Sequence, residues 1–215
     1  GSNNTFDGLS VDGNGADGIE LADSSPNLFR DSRITDNEEL GVNLRGSDSQ
    51  RFQNVTVRGH PGPEVGFGDA YEPVPYDATD LFIEPAARFE FTGEPVTLDT
   101  VDNESLPDLP ENATAVQSGF NVSNVQDQVT VTVPLDAGTD AAQVELRRFD
   151  GSDWQSVANG SVTDEGDALQ ATLTESGVYV PVRTEAVSGI DLDAVVENDT
   201  LTLENPRSEE HTSEL

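Results

Sequence analysis

Phe6, Phe29 and Phe52 stand 23 residues apart, and this spacing constrains the fold more than any other feature of the chain. The same interval relates Val11, Ile34 and Val57, then Ile19, Val42 and Val65, then Leu21, Leu44 and Phe67. A polar position keeps the register too, as Asn14, Asn37 and His60. Each unit holds short apolar-polar-apolar pieces such as Leu9-Ser10-Val11 and Ile19-Glu20-Leu21, separated by Gly, Asp and Asn. That is the period-two chemistry of strands broken by tight turns. One such unit cannot close a core, but stacked units place like residues above one another and build continuous apolar ladders. Phe6, Leu9, Val11, Ile19 and Leu21 are expected to point inward, and Asp12 to Gly18 to form a turn. The Leu-x-x-Leu-x-Leu framework of leucine-rich repeats is absent from these units.

The arrangement "GIELADSSPNLFRDSRITDNEELGVNL", with Asn at turns and Gly-Ile/Val-x-Leu opening a strand, resembles the right-handed parallel β-helix repeat of the pectin-lyase-like superfamily. The resemblance covers about a third of the chain and implies a fold more specifically than an activity. Three rungs are few for a free-standing solenoid, so the chain reads as the tail of a longer protein.

The register stops after Phe67, and "GFGDAYEPVPYDATD" reads as a Pro-rich connector over 71–81. Beyond it, strands are expected at 87–91, 96–100, 116–122, 128–133, 143–149, 154–157, 168–173 and 177–182, with turns at "FDGSDW" and "TDEGDA". The expected fold class is therefore all-β. The C-terminal rungs of a right-handed parallel β-helix (1–70) are followed by an antiparallel β-sandwich accessory domain (82–206). That second part resembles the β-sandwich modules near the C-terminus of archaeal surface proteins, and "GIDLDAVVENDTLTLENP" is expected either to add a strand pair or to lead into a further segment. The last nine residues, "RSEEHTSEL" (207–215), look like the translation of a common sequencing-adapter read and are set aside as an artefactual tail.

Composition narrows the setting. The 215 residues carry 42 acidic and 10 basic side chains, a net charge of −32, and every basic residue is Arg. Because the acids are dispersed among alternating apolar residues, the charge reads as a surface suited to high salt rather than as disorder. The pattern resembles proteins of extreme halophiles, haloarchaea among them. No basic stripe is present to neutralise phosphates, so nucleic acid is excluded as a partner. Neither a membrane span nor a signal peptide is visible. Cys and Met are absent, which removes disulfides and thiolate metal sites. It also disfavours the copper-maturation type of periplasmic β-helix.

Asn-x-Ser/Thr triplets occur at Asn3, Asn54, Asn103, Asn112, Asn121, Asn159 and Asn198, where chance at this composition would give roughly two. They are the candidate N-glycosylation sites, and although strands rich in Asn and Thr also produce such triplets, their number favours a chain exported outside the cell or to its surface.

Candidate ligand-binding residues come from the outward rows that stacking would create, namely Asp7/Arg30/Gln53, Ser10/Arg33/Thr56, Asp12/Thr35/Arg58 and Glu20/Asn43/Gly66. Asp7, Arg30, Arg33, Asp12 and Arg58 are the residues chosen, with a polysaccharide as the expected partner. Lyase chemistry would pair carboxylates holding Ca²⁺ with a base. Glycoside hydrolysis would need two carboxylates such as Asp12 and Asp36 across a sugar. Alternating acid and Arg neighbours are as readily surface ion pairs, so no catalytic residue is assigned. The expected role is a structural or carbohydrate-binding scaffold, with a polysaccharide lyase or glycoside hydrolase as the alternative. "VRGHPG" resembles the Gly-His turn of polygalacturonases, but register puts His60 in an Asn-type turn ladder. "DGNGADG", "LDAGTD" and "IDLDAVVEND" carry Ca²⁺-loop residue types without the EF-hand or nonapeptide spacing; no cofactor is assigned, Ca²⁺ being the one these residues would admit.

Overall fold

The structure is a computed structural model. It describes residues 1–184 except 25, 48, 69–71, 158–160 and 164–166, together with the backbone of 193–197 and 200–204. The 23-residue units stack as three turns of a solenoid. Strands β1 (Asn4–Asp7), β2 (Ser10–Asp12) and β3 (Ile19–Ala22) form the first turn. Strands β4 (Asn27–Thr35) and β5 (Val42–Arg45) form the second, and β6 (Arg51–Arg58) and β7 (Val65–Gly66) the third. All rung-to-rung pairing is parallel and keeps the register of the sequence: Phe6 opposes Phe29 and Phe29 opposes Phe52, while Ile19 opposes Val42. The Phe6 and Phe29 rings stack with centroids 4.8 Å apart, and Phe29 and Phe52 at 5.4 Å. Each ring thereby fills the interval between two rungs.

Corners explain the Gly, Asp and Asn of the repeat. Gly8, Asp31, Asn54 and Asp80 occupy equivalent places on successive strands, with φ of 65°, 49°, 51° and 56°. Left-handed backbone is open to Gly and tolerable for Asp and Asn, whose short polar side chains bond locally. Asn54 Nδ2 donates to Asp31 Oδ1 at 2.7 Å, so one corner braces the next. A second corner repeats the device at Gly13, Asp36 and Gly59.

The stretch expected as a connector contributes a strand. β8 (Tyr76–Ile83) pairs in parallel with β6, with Phe52 opposite Ala78 and Val57 opposite Ile83. The interval has grown from 23 to 26 residues, which is why the periodicity ends there while the stacking does not. Tyr76 follows Pro75 into the sheet, is fully buried, and donates its hydroxyl to Val96 O at 3.0 Å.

From here the pairing becomes antiparallel in both sheets at once. β9 (Ala87–Glu94) pairs with β8, and β10 (Thr97–Val101) pairs with β7. The first sheet continues through β13 (Val129–Pro134) and β17 (Ala168–Leu173) to β16 (Ser161–Val162). The second continues through β12 (Gly119–Ser123), β18 (Gly177–Thr184) and β14 (Val144–Phe149) to β15 (Trp154–Ser156), with β11 (Ala113–Ala115) against β18. Alternation sets each strand in place: Val129, Val131 and Val133 are buried and Thr130 and Thr132 are not. The sheets share one apolar cluster running from Phe29 to Leu173 and Tyr179, and residues 1–184 make one compact unit. Buried Glu94 accepts the backbone N–H of Gln126 (3.0 Å) and Asp127 (3.1 Å), fixing the turn from β12 to β13.

The remaining residues, 185–215, form a separate unit in which β19 (Asp193–Glu197) and β20 (Thr200–Glu204) pair as an antiparallel hairpin. The tail 207–215 lies outside the described residues. Among the described residues no helix is long and apolar enough to cross a membrane.

Candidate functional site

Parallel register turns one outward position per strand into a row across the first sheet. The longest such row runs Ser10, Arg33, Thr56, Phe82, Arg88, Thr132, Gln170, Ser161, each residue opposite the next. Successive strands lie about 4.8 Å apart, so the row is a polar ridge that crosses from parallel into antiparallel strands. At its centre the Arg88 guanidinium sits 4.4 Å above the ring of Phe82, a half-buried aromatic side chain on the outer face, in a cation–π contact.

Two of the chosen arginines, Arg33 and Arg58, meet beside this row. Arg33 donates to Glu84 at 2.9 Å, and Arg58 Nε lies 3.6 Å from the same Glu84 oxygen. Arg58 also approaches Asp36 at 4.0 Å. Glu84 stands just past β8, before the cis Pro85 that opens the turn into β9. Two guanidinium groups from adjacent rungs thus share one carboxylate. Arg58 Nε is the only buried side-chain polar atom among the described residues with no hydrogen-bond partner, so it has a donor to spend.

Asp7 and Arg30 form their own pair at 2.6 Å, both half-exposed. This bond to Asp7 raises the Arg30 guanidinium above its ordinary range. The pair stands across the left-handed corner of Asp31 from Arg33. Asp12 accepts Thr35 Oγ1 at 2.7 Å. All five residues therefore sit on the outer face of one sheet, and Glu84 joins two of them. Phe82 and Glu84 are not legible in the 23-residue repeat because they lie in, and just past, the strand whose interval is 26.

The row Glu20/Asn43/Gly66 has the expected pairing but offers no open groove, because Asn43 and Gly66 are buried. Asn43 donates to Asp17 Oδ2 at 2.7 Å and accepts from Gly68 N at 3.0 Å. Asp17 also accepts Leu40 N at 3.0 Å, so this acid of "DGNGADG" ties rungs together. Among the described residues no group of three or more His, Asp or Glu is arranged to hold a metal ion.

His60 lies in the turn ladder. Asn37 Oδ1 accepts Asn14 N, and Asn37 Nδ2 meets His60 Nε2, each at 2.9 Å. With Nε2 accepting, the imidazole proton sits on Nδ1 and faces Glu64, which bonds it directly. Glu64 also accepts Gly59 N at 2.9 Å, and both side chains are fully buried. Glu64 occupies the repeat position held by Gly18 and Gly41, where a Cβ would collide with the following rung. In the third rung two departures from the repeat, Asn to His60 and Gly to Glu64, thus satisfy one another. Across β7 and β10, Leu98 opposes Val65 and so brings Asp99 opposite Glu64. Burial, and then the Glu64 charge, push the Asp99 carboxyl up to about 6.

A concavity of about 310 Å³ lies where β14 and β15 approach β17, lined by Arg148, Gln155, Ser156, Thr172, Glu175 and Tyr179 among others. Arg148 donates to Ser176 O at 3.0 Å and pairs with Glu175 at 2.8 Å, which leaves the cleft without a net charge to direct a ligand.

Residues 1–74 match the family model described as "Right handed beta helix region". The stacked rungs are accordingly a right-handed β-helix repeat. Comparison with curated proteins and comparison with solved structures each return no match.

Proposed function

We propose that the chain belongs to an exported surface protein of a salt-adapted organism, in which the stacked rungs form a rigid face that binds carbohydrate. The antiparallel strands from β9 to β18 serve it as a β-sandwich accessory module. The observation that carries this reading is the Arg33–Glu84–Arg58 cluster beside Phe82. A half-buried ring, two guanidinium groups and a shared carboxylate offer a small apolar patch with donors and an acceptor around it. Sugars present that mixture of C–H faces and hydroxyls. The pairing of Arg33 and Arg58 with Glu84 favours binding over turnover, because both guanidinium groups hold Glu84 as an ion-pair partner.

A glycan array probed in molar NaCl, run beside reducing-sugar and unsaturated-uronate assays, tests the reading. Binding without turnover is expected, and Arg33→Ala combined with Phe82→Ala should weaken it by about tenfold or more, equivalent to about 1.4 kcal/mol. Binding unchanged by that double variant, no binding at all, or turnover lost in Asp12→Ala would each overturn it.

A further inference from the structure

The fold sorts the Asn-x-Ser/Thr triplets, which in the sequence look alike. Asn159 and Asn198 lie outside the described residues, leaving five to compare. Asn54 is a corner residue with φ of 51°, and its Nδ2 is spent on Asp31 at 2.7 Å. Asn121 lies within β12, which is paired with β10 on one side and β18 on the other. Its Nδ2 is 3.4 Å from Ser123 Oγ of its own triplet. Both of these triplets therefore have a structural reason to exist. Asn3 is followed by Asn4, whose backbone and side chain both donate to Asn27, at 3.2 and 2.9 Å. Asn112 is exposed in a turn, but its Ala113 and Thr114 are paired in β11 with Thr184 and Arg183.

Asn103 is different. It opens the short 3₁₀ turn Asn103–Ser105 that follows β10, and all three residues are exposed. The turn is closed by Ser105 N donating to Asp102 O at 2.8 Å, outside any sheet. Neither the Asn103 amide nor the Ser105 hydroxyl has a side-chain partner among the described residues. Forming an N-glycan requires the carboxamide to leave its neighbours and both ends of the triplet to be gripped by a transferase. A side chain already bonded within a sheet must first break that sheet locally, whereas an exposed turn opens at little cost.

We propose that Asn103 is a site of N-linked glycosylation, and that Asn54 and Asn121 are excluded by the fold. In the reaction a lipid-linked oligosaccharide is the donor. Its C1–O bond breaks, a C1–N bond forms at Asn103 Nδ2, one amide proton passes to a base, and the lipid phosphate leaves with the bonding pair. The proposal rests on the export reading above, because such donors act outside the cytoplasm.

The test exposes the folded full chain to a lipid-linked oligosaccharide and a purified oligosaccharyltransferase, then maps occupancy by mass spectrometry after cleavage at acidic residues. Synthetic peptides spanning each triplet serve as the unfolded reference. Asn103 should be occupied about tenfold more than Asn54 or Asn121 in the folded chain, the three peptides should differ by no more than about threefold, and Asn103→Gln should remove the main glycan mass. Equal loading of the three sites in the folded chain, or an Asn103 left bare in it, overturns the assignment. Export is read separately by fractionating cells that express the chain. An intracellular chain whose Asn103 is still modified in vitro condemns export alone, and an exported chain with a bare Asn103 condemns the site alone.

Discussion

At Asp99 burial sets the energetics, opposed by the Thr100 N–H that its carboxylate accepts and reinforced by the Glu64 charge across the strand pair. Its folded pKa of about 6 lies above the ordinary 3.8, so the folded state disfavours the charged form. The protonated carboxyl is tolerated below about pH 4, and stability falls as pH rises from there through about 6. Like charges directly opposite on neighbouring strands act in the same direction. Asp99→Asn should therefore stabilise the protein at pH 7 by about 1 kcal/mol, allowing for the partial exposure that screens this carboxyl. The gain should vanish below about pH 4, and urea titrations at pH 3.5 and pH 7 measure the difference. None of this was legible in the sequence, because Asp99 and Glu64 belong to no common repeat. By contrast, the place of His60 among Asn14 and Asn37 was legible from register alone. Only the structure adds that Glu64 completes it, because a residue departing from a Gly position says nothing about where its carboxylate goes.

Strands and ladders carry most of the solenoid's stability, and their contribution depends on having a rung on either side. Phe29 is 2 % exposed and stacked on both faces, whereas Phe6 is half-buried and stacked on one. Phe29→Ala should cost about 3–5 kcal/mol, as for other large-to-small changes that leave a cavity. Phe6→Ala should cost about 1–2 kcal/mol, because only part of its apolar area leaves water. Equal losses in denaturant titrations would mean that the stack does not act as a ladder. The strand set beyond residue 86 was largely readable from alternation. The expected 87–91, 143–149 and 168–173 become Ala87–Glu94, Val144–Phe149 and Ala168–Leu173. In "FDGSDW" the Asp150 carboxylate accepts from the backbone of Asp153 and Ser152, which holds it down to about 2 and closes the hairpin from β14 to β15. Strand β8 was hidden for a definable reason: three extra residues shift its register, and Ala78 stands where the ladder has Phe.

On the scale of the whole molecule, a net charge of −32 is spread over one compact unit of residues 1–184 and the segment that follows. Self-repulsion on this scale opposes compaction and is relieved when the screening length falls to about 3 Å at 1 M salt. Raising NaCl from 0.1 to about 2 M should add about 3 kcal/mol of stability, or about 6–12 °C in Tm for a chain of this size. A melting series in NaCl, with sucrose as a neutral co-solvent control, checks it; a flat series would remove salt adaptation from the reading. The sequence by itself determined the interval of 23, the inward ladders, the corners, the outward rows and the sign of the field. All of these follow from translation of one local unit, so like residues meet like residues. Tertiary structure alone decided what meets across unlike positions: Glu84 between Arg33 and Arg58, Arg88 over Phe82, and Asp99 against Glu64. It also decided that both sheets continue past the last regular rung. Those contacts join segments of different period, and no repeat in the chain records them.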